Sequence, residues 1–160
     1  MAGTSAMRIE EAAGIYRQLA AARPDAFLPS LAMSLNNQSN HLGDLGRREE
    51  ARAAIEEAAG IYRQLAAARP DVFLPNLAIS LNNQSIHLAS LGRREEARAA
   101  IEEAAGIYRQ LAAARPDAFL PSLATSLRNL ADVLETLGRD SEAAEARMEA
   151  GAIRASGSST

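Results

Sequence analysis

Apolar residues recur at steps of three and four along almost the whole chain, the spacing of a single helix face. Across residues 26–45, Leu28, Leu31, Leu35, Leu42 and Leu45 fall on one such stripe. Gly46 follows and marks a left-handed stop. Across 47–69, Ala51, Ile55, Ala58, Tyr62 and Leu65 form a second stripe, which ends at Arg69-Pro70-Asp71. The residue before a proline leaves the α region, and Asp71 is placed to cap the helix that follows. Pro29, Pro75 and Pro121 sit near the start of each first helix. A proline is tolerated in a first turn and no deeper, so the helix starts near residue 26 or, after a short turn, near 28. Period-two alternation is absent and β-branched residues are few, so no strand is predicted.

The pattern repeats. The string EEAAGIYRQLAAARPD occurs three times, and Tyr16, Tyr62 and Tyr108 set a period of 46 residues. Phe27, Phe73 and Phe119 keep the same step. Residues 10–55 and 56–101 differ at only six of 46 positions. A period of this length in a helix-forming composition predicts an all-α solenoid of antiparallel helix pairs. Seven helices are expected: an opening second-type helix over 7–23, then pairs over 26–69, 72–115 and 118–154. Residues 1–6 read as a disordered N-terminus or cloning remnant, and 155–160 as a flexible tail. The last helix diverges, with Arg139-Asp140-Ser141-Glu142 replacing Arg-Arg-Glu-Glu, as a capping element does. Gly14, Gly60 and Gly106 recur inside the second helices, which suggests close helix approach.

The run Leu45-Gly46-Arg47-Arg48-Glu49-Glu50-Ala51, followed by Ile55 and Ala58, resembles the tetratricopeptide repeat (TPR). Leu35, Leu42, Gly46, Ala51, Ile55 and Ala58 match that family's offsets, and Leu81, Leu88, Gly92, Ala97, Ile101 and Ala104 match them again. In the third repeat Leu127, Leu130, Ala131, Leu134, Gly138, Ala143 and Ala150 do so, but Arg147 stands where an apolar residue is expected. Leu35-Asn36-Asn37 and Leu81-Asn82-Asn83 resemble the long-helix subclass of kinesin light chains and of arrays in large bacterial signalling proteins. The resemblance covers about residues 26–154 and implies a right-handed superhelix. Gln38 and Gln84 depart from it where the family buries a Leu, as Leu130 does here, and Ser39 and Ser85 are more polar than its usual Gly or Ala. The first two repeat interiors are therefore expected to be wetter or looser.

Composition removes most other functions. The chain has no Cys, which excludes disulfides, zinc-thiolate sites and a Cys nucleophile. Its net charge of −3 argues against phosphate neutralisation, so no nucleic acid is expected. No apolar run spans a membrane and the first residues lack a signal-peptide core, so a cytoplasmic location is the default. His41 and His87 lie one repeat apart with no acidic cluster at ligand spacing, and Ser39 and Ser85 have no base at a useful offset. No enzyme, metal or cofactor is expected. Arg47 to Glu50 and the pair Arg52/Glu56 read as solvated helix charges.

The six differences between the first two copies fall at 26, 30, 33, 40, 43 and 44 and their equivalents. Five of them, 26, 30, 33, 40 and 44, share one stripe of the first helix. The second copy places Val72, Ile79 and Ile86 on that stripe, and the third Thr125, Arg128, Asn129, Asp132 and Glu135. An exposed face drifts because nothing constrains it, but an apolar solvent face also suggests a partner or self-association. By resemblance, this stripe lines a concave groove for an extended or helical peptide. Asn37, Asn83 and Asn129 would then contact ligand backbone, since an amide both donates and accepts. Helix-to-helix or water bonding is the plainer role for them. The expected groove comprises Asn37, Asn83, Asn129, Met33, Asn40, Asp44, Ile79, Asn82, Ile86, Ser90, Thr125, Arg128 and Asp132. The expected function is a protein-interaction scaffold. The alternative is a spacer or self-assembling module, cut from a larger signalling protein or engineered, that associates through exposed terminal helices.

Overall fold

The computed structural model describes residues 2–157. Among them run seven α-helices: α1 (Ala2–Ala22), α2 (Pro24–Asp44), α3 (Arg48–Ala68), α4 (Pro70–Ser90), α5 (Arg94–Ala114), α6 (Pro116–Thr136) and α7 (Asp140–Gly157). Each helix packs on the one before and the one after it, which builds a solenoid. Even-numbered helices are of the first type and odd-numbered ones of the second.

The helix starts differ from the expected ones. α2, α4 and α6 begin at Pro24, Pro70 and Pro116, ahead of residue 26 or 28 and its equivalents. A proline at the first helical position loses nothing, because its missing N–H would have had no partner. Pro29, Pro75 and Pro121 therefore lie inside their helices. The carbonyl that each frees belongs to Asp25, Asp71 or Asp117, in an exposed first turn that water reaches. Asp71 does not cap. Arg69 holds the capping position without a side-chain bond, and Asp71 instead sets its charge in the first turn. α1 extends to Ala2 and α7 to Gly157, past the expected limits of 7 and 154; Met1 and residues 158–160 lie outside the described residues.

The stops are glycines. Gly46, Gly92 and Gly138 have φ of 75°, 76° and 73°. The N–H of Arg47 reaches the Leu42 carbonyl at 2.9 Å, and that of Gly46 reaches Gly43 at 3.0 Å. These two bonds close the helix end as a Schellman turn, and only a residue without Cβ adopts that φ at low cost. The same pair of bonds recurs after α4 and α6.

The core is thin, and among the described residues it forms three hydrophobic clusters along the array. Ile55 and Ile101 are fully buried among Ala51, Ala58, Ala97 and Ala104, whose small side chains let the helices approach. Leu31, Leu35, Leu77 and Leu81 fill the facing positions, and the Phe73 ring packs on Tyr62 with centroids 6.5 Å apart. Leu45 leaves the stripe and is exposed beyond the end of α2. Ser39 and Ser85 are buried, yet each hydroxyl donates to the carbonyl three residues back, at 2.8 Å. Gln38 and Gln84 are only half-buried. The two buried hydroxyls are thus satisfied within their own helices.

The repeating glycines play no part in close approach. A Cβ at Gly14, Gly60 or Gly106 would meet nothing within 4 Å. Gly43 is the position of close contact: a Cβ there would lie 2.7 Å from Cε1 of His87. Gly106→Ala should therefore raise stability by about 0.5–1 kcal/mol through helix propensity. Gly92→Ala should lower it by about 1–2 kcal/mol, because the left-handed turn must be kept. Urea denaturation of the two variants checks both signs.

Candidate functional site

The first-type helices meet through short polar side chains. Asn36 Oδ1 on α2 accepts from Nδ2 of Asn83 at 3.3 Å and from Oγ of Ser80 at 3.5 Å, both on α4. One repeat on, Asn82 Oδ1 accepts from Nδ2 of Asn129 at 3.4 Å and from Oγ of Ser126 at 3.5 Å. Ser80 and Ser126 are fully buried. Each first-type helix is thereby held in register with the next by a pair of bonds that an apolar side chain could not make.

The second-type helices are tied differently. Arg17–Glu57 at 2.9 Å, Arg63–Glu103, and Arg109–Glu149 at 2.8 Å join α1 to α3, α3 to α5 and α5 to α7. These long exposed side chains bridge a wider gap. Each pair is worth at most about 1 kcal/mol, so the belt sets register more than stability. The link lies between repeats at a separation of 40 residues, which local i,i+4 reading does not find. Local pairs are present as expected, with Arg52 bonding Glu56 at 2.6 Å and Glu49 at 2.9 Å.

Against this frame the expected groove residues divide. Met33, Ile79 and Ile86 are 55%, 48% and 52% exposed, an unusual state for large apolar side chains aligned on one stripe. Asn40, Asp44, Ile86 and Ser90 line one cleft of about 400 Å³ between α2 and α4, together with Gly43, Arg48 and His87. Asn37 is exposed on α2, and Thr125 is exposed on α6. Asn83 and Asn129 are half-buried, and each spends one amide N–H on the seam while its Oδ1 stays available. The plainer helix-to-helix role is therefore real for these two. Asn82 turns into the seam as the acceptor. Asp132 binds Arg147 of α7 at 2.7 Å, and Glu135 binds the same guanidinium. Arg147 thus lies outside the core at the position where an apolar residue was expected, paired to α6. Arg128 lies toward the far end of the array and lines a different groove.

One difference between copies has a packing cause. His87 is buried and its ring lies against Gly43 of the preceding repeat. In the next repeat Val133 takes the histidine position and Ala89 the glycine position. The larger ring thus goes with the missing Cβ, so the change at 43 and 89 is not drift. Burial lowers the His87 pKa below its ordinary value, opposed in part by the carboxylate of Asp44. Among the described residues no group of three His, Cys, Asp or Glu could hold a metal ion, and no helix is long and apolar enough to cross a membrane.

No family model and no curated protein matches the chain. Solved structures do. BtubC (BKLC) from P. vanneervenii superposes with a TM-score of 0.78 at 21% identity, over 96% of this chain and 59% of BtubC. A Podosopora anserina kinesin-light-chain-like protein of nearly identical TPR-like repeats superposes with a TM-score of 0.66 at 20% identity, over 95% of this chain and 69% of its own. The chain thus spans about three fifths of the length of BtubC. The fold is a TPR-like helical repeat.

The depressed His87 pKa has a signed consequence. The unfolded chain binds the imidazole proton more readily than the folded one, so stability is complete above the unfolded value. It then falls as pH drops below about 6.5 toward the folded value. Thermal melts between pH 7.5 and 5.5 should show this decline, and His87→Val should remove it.

Proposed function

We propose that this chain is a protein-interaction scaffold that holds an extended peptide or partner helix along the row of first-type helices. The observation that carries the reading is the stripe of Met33, Ile79 and Ile86, apolar and about half exposed on adjacent helices. Solvent offers no reason to keep such side chains aligned. Short Asn and Ser side chains join the first-type helices, whereas long Arg–Glu pairs join the second-type ones. That difference favours first-type helices on the tighter, inner side of the curve, which is a natural seat for a ligand. The free Oδ1 of Asn83 and Asn129 and the exposed amide of Asn37 supply backbone partners beside the apolar stripe.

A second reading is self-association, favoured by α1, where Ile15 and Leu19 are 50% and 39% exposed. Pairing of α1 with α1 would cover these side chains.

Peptides selected from a displayed random library should lose affinity by about tenfold or more against the Ile79→Glu, Ile86→Glu double variant, since buried anchors dominate such interfaces. Circular dichroism should show unchanged helicity, because both side chains already face solvent. Peptides that bind the double variant as well as the parent would sink the groove reading. Sedimentation of the parent and of Ile15→Glu separates the second: a dimer that this substitution dissolves supports α1 pairing.

A further inference from the structure

The far end of the array carries a chemistry that its interior does not. Each inner seat between a first-type and a second-type helix is filled by the next first-type helix: α4 sits on α2 and α3, and α6 sits on α5 and is bonded to α4 through Asn82. The corresponding seat on α6 and α7 is an open groove of about 530 Å³. Leu120, Pro121, Ala124 and Ile153 form its apolar wall, and its charged lining is Arg128 and Arg154 with one carboxylate, Asp117, near the start of α6. Three arginines stand here at repeat-equivalent positions that hold other residues inside the array. Arg128 replaces Asn36 and Asn82, Arg147 replaces Ile55 and Ile101, and Arg154 replaces Tyr62 and Tyr108.

Arg147 is neutralised by Asp132 and Glu135. Among the described residues Arg128 donates only to Thr125 Oγ1, at 3.1 Å. Among the described residues no carboxylate pairs with Arg128 or Arg154. The register of the array says what meets Arg128. Asn36 and Asn82 each accept from a serine and an asparagine of the helix seated on them. A guanidinium only donates, so the seated helix must offer acceptors at those two positions. A neutral helix would desolvate the guanidinium without compensating its charge, whereas carboxylates do both.

We propose that the groove between α6 and α7 seats an amphipathic helix of a partner protein, carrying carboxylates where α4 carries Ser80 and Asn83. The apolar wall takes the helix's hydrophobic face, and Arg128, with Arg154 beside it, takes its acidic edge. A second copy of this chain fits poorly. Its first-type helices carry Ser and Asn at these positions, Ser34 and Asn37 on α2 included, and these neutral groups do not compensate the guanidinium.

Two labelled peptides of residues 70–90 test this against the whole chain by fluorescence anisotropy. One keeps the natural sequence and the other carries Ser80→Asp and Asn83→Asp. The acidic peptide should bind at least about tenfold more tightly, the scale of one charge-assisted contact. Arg128→Asn, which restores the residue used inside the array, should reverse the preference with unchanged helicity. The Ile79→Glu, Ile86→Glu variant should keep the acidic peptide, which separates this end groove from the first-type stripe. Equal affinities, no binding of either peptide, or a preference that survives Arg128→Asn would overturn the proposal. So would a dimer of the chain that Arg128→Asn dissolves, since a second copy would then be the occupant.

Discussion

A single helix pair in this chain has too little apolar surface to enclose itself, so every pair depends on its neighbours for a core. Ile55 shows the constraint. It is wholly buried, clustered with Ala13 and Ala20 of α1, Leu31, Leu35 and Leu42 of α2 and the alanines of its own helix α3. Burying a side chain of this size is worth about 1.5–3 kcal/mol, and most of that gain arises across helix boundaries. Small residues at 51, 58, 97 and 104 are therefore as necessary as the large ones. The three Tyr and three Phe, one of each per repeat, complete a core that is long and narrow.

That dependence makes the seams between repeats decisive, and the two sides of the solenoid solve them differently. The first-type helices meet through Asn36, Ser80, Asn83 and their equivalents, short groups with directional bonds. The second-type helices are spanned by arginine and glutamate, long groups in water. Short ties on one side and long ties on the other bend a stack. The side held by short ties is also where Met33, Ile79 and Ile86 reach solvent, so the structural seam and the candidate binding stripe share the same helices.

Near-identity between copies hides local compensation. His87 is accommodated because position 43 has no side chain, and the pair one repeat later is Val133 with Ala89. The ends are compensated too. At the last repeat an accepting asparagine becomes a donating arginine, and a core isoleucine becomes Arg147 bound to Asp132. The end surface therefore differs in polarity from the seams inside the array.

The fold was largely legible in the amino-acid sequence. Apolar periodicity, a 46-residue repeat and glycine stops are local or self-referential signals, and they determine helix type, helix number and the left-handed turns at Gly46, Gly92 and Gly138. The proline starts were misplaced by a few residues, because an exposed first turn lets water replace the bond that a proline removes. The candidate site was legible in part: the exposure of Ile79 and Ile86 follows from the helix stripe. What the sequence could not decide was which polar side chain faces a neighbour and which faces solvent. Asn36 and Asn37 are adjacent and chemically identical, yet one is a seam acceptor and the other lies exposed. The ion pairs across 40 residues, the fit of His87 over Gly43 and the inverted polarity at Arg128 have the same origin. Each depends on the distance between helices that are remote in sequence, and packing alone sets that distance.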